Sequence, residues 1–184
     1  YLVGGCWRAM ALIHMNRCRY PLKVLQGYKI TVKALHETLD FISSTDISVM
    51  TKITSSSPER LKLLPNASKV LRALIDKFQP KYMLFSGYGI REGLLYQLFS
   101  SEIREMEPLL EACKYLEINR SRFPGFGKVL FKWLLSIFPD VSKEHKRLYL
   151  AACHLHDTIW QAHPDYRSEV CFEVVTGANL GGID

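Results

Sequence analysis

The chain has 184 residues, 24 lysines and arginines against 18 acidic residues for a net charge of +6, 48% apolar residues and 23% charged residues. That balance excludes a disordered tail, a coiled coil and a disulfide-stapled miniprotein, and the length allows one large or two small domains with a buried core. No apolar run approaches the ~20 residues of a membrane-spanning helix, and five scattered cysteines (Cys6, Cys18, Cys113, Cys153 and Cys171) form no Cys-x-x-Cys pair, so a soluble protein of a reducing, cytoplasmic compartment is expected.

Tyr1-Leu2-Val3 reads as a strand, Gly4-Gly5 as a turn, and Cys6 to Cys18 as a helix with Trp7, Met10, Ala11, Ile13 and His14 at helical spacing. Tyr20-Pro21 closes that helix, because proline cannot extend it. Thr31 is placed to cap a helix that shows Val32, Leu35, Leu39 and Ile42 on one face. A turn at 43–46 and a short helix follow. Ser55-Ser56-Ser57 is a loop, with Pro58 suited to a first helical position. From Asn66 the spacing of Ala67, Val70, Leu71, Leu74, Ile75 and Phe78 predicts an amphipathic helix stopped by Pro80. Residues 81–86 then read as a buried strand, and Ile90 to Phe99 as a helix, which makes a second strand, glycine turn, helix unit. Beyond Ser100 the pattern is helical: Met106–Asn119, Phe126–Phe138, Ser142–Trp160 and Tyr166–Thr176, with the best domain boundary near 100–105. The opening on Tyr1 and the turn-rich close, Asn179 to Asp184, are read as lying inside a longer protein.

The two glycine corners carry the most information. A helix N-terminus leaves free N–H groups and a partial positive charge, glycines before it let a ligand approach the backbone, and Arg8 and Arg91 are placed to add charge-assisted bonds. A purely steric role for the glycines, with the arginines paired to carboxylates such as Glu92, is the alternative.

Several blocks resemble one family: Val3-Gly4-Gly5-Cys6-Trp7-Arg8-Ala9-Met10-Ala11, Tyr20-Pro21-Leu22, Leu25-Gln26-Gly27-Tyr28, Arg60 with Leu64-Pro65, and above all Ser86-Gly87-Tyr88-Gly89-Ile90-Arg91-Glu92-Gly93-Leu94-Leu95-Tyr96. They look like the exopolyphosphatase and guanosine pentaphosphate phosphatase (Ppx/GppA) family, and the likeness continues through Leu148 to Asp157 and His163 to Arg167. The resemblance implies an α/β part followed by a mostly α part. Residues 1–102 are expected to be the end of the second lobe of an actin-like (ribonuclease H-like, sugar kinase type) fold, and residues 103–184 an incomplete HD-like helical domain. It implies an enzyme acting on acid anhydrides, which takes the terminal phosphate from inorganic polyphosphate or converts pppGpp to ppGpp with magnesium and an attacking water, as a homodimer. Gly4, Gly5 and Arg8 would shape the cleft floor; Ser86, Gly87, Arg91, Glu92 and Gly93 would form the second turn, with Arg91 either touching phosphate or bracing Glu92. The family's Asp-Gly-Gly phosphate loop and catalytic carboxylate have no counterpart here, and residues 1–100 hold only six acids, so this chain is expected to lack the general base and most of the magnesium site.

His145, His154, His156, Asp157 and His163 raise an HD-type metal phosphohydrolase as a second reading. On one helix His145 and His156 would stand ~16 Å apart, too far to share an ion, which leaves His156 and Asp157, with His163 seven residues on, as the metal candidate; the favoured alternative is a degenerate scaffold in which His156 and Asp157 hydrogen-bond to hold helices together. Charge is uneven: residues 1–150 carry 23 bases and 13 acids (+10), residues 151–184 one base and five acids (−4). A third reading is therefore a non-catalytic polyanion-binding or dimer-forming module around residues 120–132, without specific nucleic-acid recognition. Phe123, Phe126, Phe131, Trp133 and Phe138 are expected to serve core and interdomain packing.

Overall fold

Helix α1 (Gly5–Arg17) buries Ala9, Met10, Ala11, Ile13 and Met15, so apolar side chains leave it on every side and the rest of its unit folds around it. The structure, a computed structural model, describes residues 1–178, 180 and 181. It divides into two compact units, residues 1–99 and the residues from Ser100 onward. Of the turn-rich close, Asn179 and Gly182 to Asp184 lie outside the described residues.

In the first unit, strand β1 (Lys29–Thr31) leads directly into α2 (Val32–Ser44), whose first turn is capped by Thr31 Oγ1 accepting the Ala34 N–H at 3.4 Å. The sequence reading found the cap and not the strand, since three residues are too few to show an alternation. After α3 (Ile47–Ile53), α4 runs unbroken from Pro58 to Phe78. This corrects the expectation of a helix beginning at Asn66. Pro65 sits inside it, and an interior proline costs about 3 kcal/mol; Leu61 and Leu64, both wholly buried, each contribute about 1.5–3 kcal/mol of burial, which outweighs the lost hydrogen bond. The helix closes at Gln79 in left-handed geometry (φ 45°), and strand β2 (Tyr82–Leu84) and helix α5 (Ile90–Gln97) follow.

Strand β2 has a partner on each edge. β1 pairs with it antiparallel, Ile30 opposite Met83, and the pairing extends through the Phe85 N–H to the Tyr28 carbonyl at 2.9 Å. On the other edge Leu2 forms a parallel bridge to Phe85: the Leu2 N–H donates to the Leu84 carbonyl at 2.7 Å, and the Ser86 N–H to the Leu2 carbonyl at 3.0 Å. The expected strand at Tyr1–Val3 is this single bridge. It places both glycine corners side by side at the same end of the sheet.

The second unit is helical: α6 (Ser101–Glu105), α7 (Pro108–Arg120), α8 (Phe126–Ile137), α9 (Lys143–Leu155) and, after a 3-10 turn at Pro164–Tyr166, α10 (Arg167–Gly177). Its apolar core is small, built on Leu109, Cys113, Ala151, Leu155 and Leu180. Two expectations change here. α9 stops at Leu155 and not near Trp160, so His156 and Asp157 sit in a turn. Phe123, Phe126, Trp133 and Phe138 are 44–66% exposed and do not form the expected core; α8 meets α9 through Gly127, its one buried residue, with Phe126 against the His156 ring and Phe138 against Tyr149. A Cβ at Gly127 would lie 2.8 Å from the Cys153 carbonyl oxygen and 3.0 Å from Glu117 Oε1. Gly127→Ala is therefore expected to lower the stability of this unit by about 2 kcal/mol, as overpacking against backbone exceeds alanine's ~1 kcal/mol advantage in a helix; denaturant midpoints measure it, and an unchanged midpoint would refute the close contact. Among the described residues no helix is long and apolar enough to cross a membrane.

Candidate functional site

The two corners are tied together by one side chain. Arg8, in the first turn of α1, donates from Nη1 to the Gly87 carbonyl at 2.8 Å, a contact between residues 79 positions apart in sequence. Gln26 joins from the loop before β1, its Oε1 accepting the Gly87 N–H at 3.0 Å, and the neighbouring Gly27 N–H donates to the Phe85 carbonyl at 3.0 Å. Gly4 stands at φ +136°, a backbone that side chains resist. An ideal Cβ at Gly5 would lie 2.8 Å from Arg60 Nε, so the Arg60 guanidinium, reaching over from the first turn of α4, occupies the space a side chain at position 5 would take. Four of the family-like blocks thus converge: the glycine pair with Arg8, the Gln26-Gly27 loop, Arg60, and the Ser86–Gly93 corner.

The corners are not equivalent. The N-terminus of α1 has Gly4 as its cap residue, no side-chain cap and no acid in its first turn, so its leading N–H groups are open to an anion. The N-terminus of α5 is closed: Glu92 Oε2 accepts the Gly89 N–H at 2.6 Å. The backbone N–H groups of Glu92 and Gly89, with the charges of Arg91 and Arg8 behind them, hold the Glu92 carboxyl below the ordinary carboxylate range. A carboxylate so held is a poor base, and Glu92 acts here as a cap. Ser86 braces its own turn, Oγ donating to the Tyr88 carbonyl and accepting the Tyr88 N–H. Of the two roles open for Arg91, bracing Glu92 is not the one seen: Arg91 is exposed and no hydrogen bond or ion pair joins it to Glu92. A Cβ at Gly93 would meet nothing within 4 Å, and Gly93 makes only the helical N–H bond to Gly89. The sequence reading missed Gln26, Gly27 and Arg60 as site residues; they stood in the family-like blocks, but nothing local tied them to the corners.

In the second unit the histidines do not gather. His145 pairs with Ser142, and His156 Nδ1 donates to the Cys153 carbonyl at 2.7 Å. Asp157 receives the Arg122 backbone N–H at 2.9 Å and the Arg122 guanidinium at 2.6 and 3.1 Å; the hydrogen bonds from that side chain hold its carboxyl below the ordinary aspartate range. As a metal site His156 and Asp157 do not fit: the carboxylate is committed to Arg122, and among the described residues no group of three His, Cys, Asp or Glu side chains is placed to hold an ion. The polar centre of this unit is one the sequence reading passed over. Glu117, 1% exposed, accepts the Gly125 and Gly127 N–H groups at 3.1 and 2.7 Å through Oε1, and its Oε2 meets His154 Nδ1 at 2.5 Å.

Adjacent strand-to-helix corners, an uncapped helix N-terminus, and Arg8 and Arg60 beside it define a mostly helical protein whose small sheet ends in corners suited to an anion. Comparison with known proteins makes this particular. Residues 1–102 match the Ppx/GppA phosphatase family and residues 109–184 match the exopolyphosphatase C-terminal region; the chain belongs to the Ppx/GppA phosphatase family. It is 30% identical over 137 residues to Retrograde regulation protein 2 of Saccharomyces cerevisiae, a match covering 66% of this chain and 23% of that protein. The chain thus spans under a quarter of the length of that curated relative.

Proposed function

We propose that residues 1–99 form one side of the phosphate-gripping cleft of an actin-like phosphotransfer fold, in a protein that hydrolyses the terminal phosphate of inorganic polyphosphate or of pppGpp. The observation that carries this reading is the Arg8 bridge to Gly87, which holds an arginine across the mouth of both corners while leaving its other N–H donors for phosphate oxygens. The open N-terminus of α1 supplies backbone donors, and Arg60, with no ion-pair partner among the described residues, adds charge beside it. In this reading these residues bind and orient the chain of phosphates. They do not activate water, since Glu92 is spent as a cap. The base and the metal are contributed from outside residues 1–184.

Calorimetric titration with inorganic tripolyphosphate, paired with a phosphate-release assay in magnesium, tests the division of labour. The 184-residue chain is expected to bind with an affinity that falls steeply between 50 and 200 mM salt and to release no phosphate from polyphosphate or pppGpp. Sustained turnover by this chain would overturn the assignment of the base elsewhere, and absence of binding would overturn the grip.

A further inference from the structure

The far end of α1 carries a cavity apart from the corners. With ~1.5 Å of rise per residue, the 13 residues of α1 separate its two ends by ~18 Å. At the C-terminal end a cavity of about 660 Å³ opens between the turn after α1 and the end of α3, within the size range of small-ligand sites. Arg19, Lys23 and Lys52 line it and no carboxylate does. Among the described residues none of these three side chains has a hydrogen-bond or ion-pair partner. The remainder of the lining sets Leu12, Met15, Ile53 and the ring of Tyr20 beside the polar Asn16, Thr54 and Ser55.

A simpler account of the cations is that they offset the negative ends of the two helices. The magnitudes do not support it alone. Each helix C-terminus carries roughly half a negative charge, and the end carbonyls are already used: Met15, Asn16 and His14 accept from Tyr20, Arg19 and Cys18, and Met50 accepts from Thr54. Three full positive charges therefore leave an excess of about two, concentrated in one concavity. Arg19 also adopts left-handed backbone (φ 51°), a conformation that non-glycine residues hold only where the surroundings enforce it. Tyr20 is fixed edge-on against Tyr28, ring centroids 4.9 Å apart, yet keeps 42% of its surface exposed, which leaves a ring face for stacking.

We propose that this cavity binds a nucleotide carrying two or more phosphates, the phosphates on Arg19, Lys23 and Lys52 and the base against Tyr20, Leu12 and Ile53. The aromatic and aliphatic wall separates this ligand class from inorganic phosphate chains, for which the cations alone would suffice. The site is independent of the corners and stands whether or not they grip phosphate.

The test is titration of the 184-residue chain with ATP and, in a parallel arm, with inorganic tripolyphosphate, at 150 mM salt and without divalent cation. Lys23→Gln/Lys52→Gln is expected to weaken ATP binding at least tenfold, whereas Lys62→Gln/Lys69→Gln, which removes the same charge from exposed positions on α4, leaves it within twofold. Tyr20→Leu is expected to weaken ATP severalfold and leave tripolyphosphate unchanged. Circular dichroism melts confirm that each variant is folded. The proposal is overturned by absence of ATP binding, by equal losses in the two double-lysine variants, or by loss in Arg8→Gln with none in Lys23→Gln/Lys52→Gln, which would put the nucleotide at the corners. A silent Tyr20→Leu would overturn the assignment to a nucleotide.

Discussion

Glu117→Ala is expected to lower the stability of the second unit by about 3–5 kcal/mol, since each buried donor left without a partner costs about 1–3 kcal/mol. The substitution strands three donors at once: the Gly125 and Gly127 N–H groups and the His154 ring, itself 3% exposed. Against a typical domain stability of about 5–15 kcal/mol and so small an apolar core, this loss threatens folding outright. Glu117→Gln keeps a carbonyl oxygen for the two glycine N–H groups, so about 1–2 kcal/mol is expected from it. The pair also predicts a pH dependence. Burial pushes the Glu117 carboxyl up, but the Gly127 N–H, His154 and the Gly125 N–H together hold it below the ordinary glutamate range. A carboxyl lowered on folding stabilises the fold above its unfolded value, about 4.3, and that contribution is lost as the pH falls through the lower folded value. Urea midpoints at pH 7, 4.5 and 3.5 should fall steeply for the native chain and much less for Glu117→Gln. Equal midpoints for the native chain and Glu117→Ala would show that the carboxylate holds nothing together.

Arg8→Gln is expected to weaken tripolyphosphate binding roughly 10- to 100-fold, the worth of one hydrogen-bonded charge at about 1.5–3 kcal/mol. Two losses combine: the guanidinium itself, and its brace on the Gly87 carbonyl. Arg8→Lys is expected to rescue only a fraction, since an ammonium offers a point charge where a planar fork spans carbonyl and ligand. Stability changes little by comparison, about 1–2 kcal/mol for a single partly exposed hydrogen bond, so binding and folding can be read apart. Full affinity in Arg8→Gln would move the phosphate site away from these corners.

Much of this architecture was legible along the chain. Thr31 and Pro58 announced their helices because cap and first-turn preferences depend on residues within one turn, and both glycine corners could be read because strand, glycine and helix follow one another directly. The apolar spacing taken only from Asn66 on misplaces the start of α4, and the burial of Leu61 and Leu64, set by partners distant in sequence, keeps α4 whole through Pro65.

Which residues would meet was a different kind of information. That Arg8 would reach Gly87, that Gln26 would take the Gly87 N–H, and that Arg60 would fill the space above Gly5 follow from three chain segments arriving at one sheet edge, and no spacing rule encodes such arrivals. The histidine-rich segment shows it most plainly: His156-Asp157 stood out as an adjacent pair with metal-ligand chemistry, yet Arg122, 35 residues away, takes the carboxylate, while the unremarked Glu117 becomes the polar centre through His154 and two glycine N–H groups. Caps and glycine turns determined most of the elements, because those are short-range preferences of the chain, and the resemblance of whole sequence blocks pointed to the family. Tertiary packing alone decided which charges face each other, because a buried carboxylate must find its donors wherever the fold brings them.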